Sequence, residues 1–135
     1  MEGNTFQRIY DMIEDLLPDE WEELFFYAMY EHDSYSMRFY VRRGDDIRHM
    51  SNIEGIQQKV VIDRAMKIDR FLQVERNSLS DPWRTLTMVV DNNGKFFVDL
   101  DYTDFSERYL EYIEVWEEKY LRLNAAKDKP NSFND

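Results

Sequence analysis

The stretch Asn92-Asn93-Gly94-Lys95-Phe96-Phe97-Val98-Asp99-Leu100-Asp101-Tyr102 decides the fold. Asn-Gly between two apolar, β-branched runs predicts a hairpin, because the turn needs positive φ that Asn and Gly tolerate. A strand follows Gly94. Side chains alternate across a strand, so Phe96, Val98, Leu100 and Tyr102 line one face while Lys95, Phe97, Asp99 and Asp101 line the other. The first set is a core face and the second is half acidic. On the other side of the turn, Thr85-Leu86-Thr87-Met88-Val89-Val90 alternates as the partner strand.

Upstream, Asn4 or Thr5 is placed to cap a first helix whose stripe is Phe6, Ile9, Tyr10, Ile13, Leu16 and Leu17, ended by Pro18. Leu24-Phe25-Phe26-Tyr27-Ala28-Met29-Tyr30 is apolar on both faces and reads as a central strand. Ser36 to Arg43 alternates, with Met37, Phe39 and Val41 facing one way, and a Gly44 turn leads to a short strand from Ile47 to Met50. Ile53 to Val74 carries Val61, Ala65, Ile68 and Leu72 at helical spacing. Downstream, Asp104 or Ser106 caps a last helix with Tyr109, Ile113, Trp116, Tyr120 and Leu123 on its apolar stripe. The order predicts an α+β domain: a mainly antiparallel sheet of about five strands packed with an N-terminal, a central and a C-terminal helix. Residues 1–124 form that single domain, and the polar residues 125–135, with Pro130, form a loose tail.

Composition narrows the function. With no cysteine, thiolate metal sites, disulfides and cysteine nucleophiles are excluded, and the two histidines, His32 and His49, sit in no metal-ligand or triad spacing. Neither a signal-peptide pattern nor an apolar run long enough to span a bilayer is present, so the expected address is the cytoplasm. Asp plus Glu number 28 against 17 Lys plus Arg, a net charge of −11, which disfavours direct contact with nucleic acid or anionic lipid and favours a basic partner. Asp91-Asn92-Asn93-Gly94 is a hairpin turn rather than a calcium loop, since the glycine is misplaced and no glutamate closes the loop.

Two sets of carboxylates stand out. Asp99 and Asp101 share a strand face, and Glu107, Glu111, Glu114 and Glu118 fall on one stripe of the last helix. Glutamates four apart repel by a few tenths of a kcal/mol per pair in an isolated helix, about the amount that an i,i+4 ion pair gains. Such a face fits recognition of a positively charged protein, with tyrosines and tryptophans as rigid anchors. The competing reading is a small enzyme holding a divalent ion on Asp99, Asp101 and Asp104. It has no phosphate-binding glycine loop, nucleophile elbow or histidine cluster behind it. A third is an acidic adaptor.

Leu17-Pro18 with Trp21, Tyr27-Ala28, Pro82-Trp83 with Leu86-Thr87, Gly94-Lys95-Phe96 with Val98-Asp99 and Asp101-Tyr102, and Trp116-Glu117 with Lys119-Tyr120-Leu121 occur in order over nearly the whole chain. This ordered set resembles the YezG-like immunity protein family. The resemblance implies a cytoplasmic antitoxin without chemistry or cofactor of its own. Such a protein binds the C-terminal domain of a secreted polymorphic toxin, commonly a nuclease exported by a type VII secretion system. Together with the residue pattern it makes Asp99, Asp101, Asp104, Glu107, Glu111, Glu114 and Glu118 the candidate toxin contacts, and leaves the catalytic and metal sets empty.

Overall fold

The computed structural model describes residues 3–31 and 34–121. The predicted tail at 125–135 and the apolar position Leu123 lie outside the described residues. The chain divides into two compact units between Tyr102 and Thr103.

The first unit is built on a five-stranded sheet of order β3-β2-β1-β4-β5. The strands are β1 (Glu23–Tyr30), β2 (Tyr35–Arg43), β3 (Asp46–His49), β4 (Thr85–Asp91) and β5 (Phe96–Asp101). Every neighbouring pair is antiparallel. The uninterrupted apolar run at β1 takes the central position, with β2 and β4 paired along its two edges. Its last seven residues are all buried.

The hairpin between β4 and β5 forms where Asn-Gly predicts it, by a different turn. Only Gly94 adopts positive φ, at +84°, and Asn93 does not. Gly94 N donates to Asp91 O over 3.0 Å and Asp91 N to Lys95 O over 3.0 Å. The Asp91 carboxylate accepts the N–H groups of Asn93 and Lys95, both at 2.9 Å. The loop is thus three residues ending in a left-handed glycine, with the aspartate holding what a two-residue turn would have left to Asn93.

Two helices, α1 (Gly3–Asp11) and α2 (Gln58–Asn77), cover one face of this sheet. Phe6, Ile9 and Ile13 from the first segment and Val61, Ile68 and Leu72 from the second meet Leu24, Phe26, Phe39, Val41, Leu86, Met88 and Val90 of the sheet. Tyr10 reaches Phe96 edge-on with ring centroids 5.8 Å apart. Arg64 fastens the helices together, donating to Met12 O over 2.8 Å and to both Asp15 carboxylate oxygens over 2.6 and 2.9 Å.

Element ends differ from the sequence expectation for identifiable reasons. Asn4 and Thr5 lie inside α1 rather than at its cap, and Thr5 is buried with its hydroxyl 3.5 Å from a Glu75 carboxylate oxygen. The first helix gives way to a 3-10 turn at Glu14–Leu16 ahead of Pro18, as expected where the residue before a proline is driven out of α geometry. The central helix begins at Gln58, five residues after Ile53, since Gly55 takes φ +91° and a 3-10 turn occupies Met50–Asn52.

In the second unit, α3 spans Tyr109–Trp116 and continues into a π-helical turn at Glu117–Leu121.

Candidate partner-binding surface

Asp104 does not cap α3. Its Oδ1 accepts the Ser106 N–H over 3.1 Å and the Ser106 hydroxyl over 2.6 Å, closing a turn ahead of the helix. Arg108 holds the N-cap position without a side-chain bond. Phe105 is buried within that turn and stacks on Tyr112 with centroids 4.8 Å apart and planes 23° from parallel. Tyr109 approaches the same ring at 6.1 Å. These aromatics fix the turn against the helix, so the polar residues between them point away.

The result is an open groove of about 570 Å³ whose walls include Asp104, Glu107, Arg108, Glu111, Tyr112 and Val115. Glu107, Glu111, Glu114 and Glu118 are all exposed. Between them Leu110 and Val115 are 74% and 60% exposed. Beneath this face Trp116 and Leu121 are buried, and Trp116 lies 5.1 Å from the Tyr120 ring. The helix therefore shows solvent a strip in which Glu111 and Glu114 lie between Leu110 and Val115. Leaving two such apolar groups in water forgoes burial worth roughly 1.5–3 kcal/mol each.

Asp99 and Asp101 belong to the first unit and are half-buried, where a solvated strand face was expected. They stand opposite Thr87 and Thr85 of β4, whose side chains are buried. The exposed large apolar side chains at the hairpin are Phe97, Val98 and Tyr102. Of the strand's predicted core face, Phe96 and Leu100 pack against the core, while Val98 and Tyr102 do not. Among the described residues no group of three or more His, Asp or Glu side chains is placed to hold a metal ion, and no helix is long and apolar enough to cross a membrane.

The family model described as immunity protein YezG-like matches residues 3–132. The chain belongs to the YezG-like immunity protein family. Immunity protein YezG of Bacillus subtilis (strain 168) is 29% identical over 142 aligned positions, covering 96% of this chain and 94% of that protein. Immunity protein YezG of Bacillus spizizenii is 26% identical over 143 positions, covering 97% and 89%. YezG-like membership supports an immunity, or antitoxin, role.

In this YezG-like chain two features of α2 escaped the sequence analysis. One is a buried polar cluster. Tyr30 Oη donates to Asp69 Oδ1 over 2.7 Å, and Gln73 Nε2 donates to Asp69 Oδ2 over 3.0 Å. Arg76 gives Nε and Nη2 to Trp83 O over 3.0 and 2.9 Å, and its guanidinium lies 4.4 Å from the Tyr30 ring centre. Burial, then the bond to Asp69, pushes the Tyr30 phenol far above its ordinary value, and burial lowers Arg76. The spacing of Asp69, Gln73 and Arg76 by four and three residues puts them on one helix face, a signal present in the sequence. The other feature is the outer face of the same helix, where Ile62, Met66 and Val74 are 51%, 46% and 73% exposed.

Proposed function

We propose that this protein is a non-enzymatic, cytoplasmic antitoxin that neutralises the basic C-terminal nuclease domain of a polymorphic toxin exported by a type VII secretion system. The observation that carries this reading is the exposed strip formed by Glu107 ahead of α3, Glu111 and Glu114 on it and Glu118 in the π-helical turn after it, flanked by the exposed Leu110 and Val115. A nuclease concentrates positive charge where it receives the phosphate backbone. A rigid helix that presents carboxylates at one-turn intervals competes for that charge, and the apolar side chains convert a steered encounter into a lasting contact. Family membership supplies the immunity role; the charge of the strip supports a cationic target.

Within this reading Glu107, Glu111, Glu114 and Glu118 make the first approach, and Asp104 extends the acidic groove. Asp99 and Asp101, being half-buried, contribute less. No catalytic step is assigned to the protein: inhibition follows from occupying the toxin's surface.

Co-expression with the toxin encoded beside this protein, scored by survival and by recovery of a stoichiometric complex, tests the reading. Survival with an intact complex is the expected result. A toxin that kills regardless, or protection by degrading the toxin without a complex, overturns it.

A further inference from the structure

We infer that α2 of one copy binds α3 of a second copy, so that the free protein associates head-to-tail with itself. The proposal rests on two exposed faces of the same chain and stands apart from the toxin reading.

The first face is on α2. Successive residues turn by 100°, so Lys59, Ile62, Met66, Arg70 and Val74 lie within one arc of the helix. All five are exposed. Its other exposed charges are Lys67 and Asp63, which face each other at 3.5 Å. This arc is therefore net positive in a chain whose net charge is −11. Along it Lys59 and Arg70 bracket Ile62 and Met66, and Val74 follows.

The second face is the α3 strip, where Glu111 and Glu114 lie between Leu110 and Val115. Each face offers what the other lacks: apolar side chains of similar size, with charges of opposite sign between them. Laid together, Leu110 and Val115 meet Ile62, Met66 and Val74, and the glutamates meet Lys59 and Arg70. The surrounding excess of negative charge works against any self-contact, so the pairing is selective for this orientation: α3 against α3 is repelled. Because the two patches differ, the contact is heterologous, and it builds a ring or an open chain according to the rotation between copies. Self-association covers the same glutamates that the proposed toxin contact uses, which would make the oligomer a latent form of the protein.

Sedimentation equilibrium of the purified full chain over a concentration series, without toxin, tests this. The expected result is a weight-average mass that rises with concentration above that of the monomer. The variants Lys59→Glu/Arg70→Glu and Glu111→Lys/Glu114→Lys should each be monomeric with unchanged circular dichroism. Mixed in equal amounts they should associate again, since the acidic α2 of one then meets the basic α3 of the other. A wild-type mass that stays monomeric throughout overturns the proposal. So does association that survives in either variant alone, or a mixture that remains monomeric.

Discussion

Tyr30 on β1 and Asp69 on α2 are joined by a 2.7 Å hydrogen bond through the core, with both residues more than nine-tenths buried. A carboxylate at such depth persists only because it accepts from the phenol and from Gln73. Asp69→Ala removes the acceptor and strands the Tyr30 hydroxyl, which costs about 1–3 kcal/mol for an unsatisfied buried donor. Urea unfolding followed by tryptophan fluorescence should show a midpoint lowered accordingly with the slope unchanged. An unchanged midpoint would mean that the pair adds nothing to the fold.

The same bond makes an alkaline prediction. The folded state holds the Tyr30 proton to higher pH than the unfolded chain, whose phenol ionises near 10.0. A raised folded-state value contributes stability that is complete below the unfolded value and is lost as pH climbs beyond it towards the folded one. Unfolding free energy measured from about pH 9 to 11 should therefore fall more steeply for the wild type than for Tyr30→Phe. Tyr10, also raised by burial, contributes equally to both proteins. Parallel curves would contradict the assignment.

Gly94 closes the β4–β5 hairpin at φ +84°, and a Cβ there would meet nothing within 4 Å. Its replacement therefore tests backbone conformation without steric clash. Gly94→Ala should destabilise by about 1–2 kcal/mol, the cost of a left-handed L-residue. Gly94→Asn should cost less, because asparagine tolerates that region. Thermal melts of the two variants check the order, and an alanine variant as stable as wild type would show that the loop readily adopts another turn.

How much of this was legible in the sequence varies by element. The existence of the strands was, because aromatic and β-branched alternation in β2, β4 and β5 and the unbroken run in β1 fit extended backbone; which positions are buried was only partly so, since β2 and β4 bury consecutive residues and Val98 and Tyr102 are exposed. Helix ends were not. At Asp104 a carboxylate that could cap α3 bonds Ser106 instead, and at Gly55 one left-handed residue displaces the start of α2. Such outcomes depend on competition among local hydrogen bonds that a pattern of apolar residues does not encode. In the candidate surface, helical spacing accounts for Glu111 and Glu114, whereas Glu107 stands in the turn before α3 and Glu118 in the π-helical turn after it, neither of which the spacing shows. The half-burial of Asp99 and Asp101 does not, because alternation along β5 says which residues share a face and not how deeply that face is covered. The exposed apolar strip of α2 is not legible in the sequence, because Ile62, Met66 and Val74 stand beside the stripe of Val61, Ala65, Ile68 and Leu72 and spacing alone does not say which apolar residues the sheet covers.

The central claim is that carboxylates on α3 steer the protein onto a cationic toxin. Its most direct test is the association rate constant with the cognate toxin domain, measured by stopped flow for wild type and for Glu107→Lys/Glu111→Lys/Glu114→Lys at low and at high salt. Steering of this kind raises association by about 10- to 1,000-fold and is screened by ions. The account predicts a reduction of at least about tenfold for the variant at low salt, shrinking as salt is added. Equal rates at low salt would contradict it.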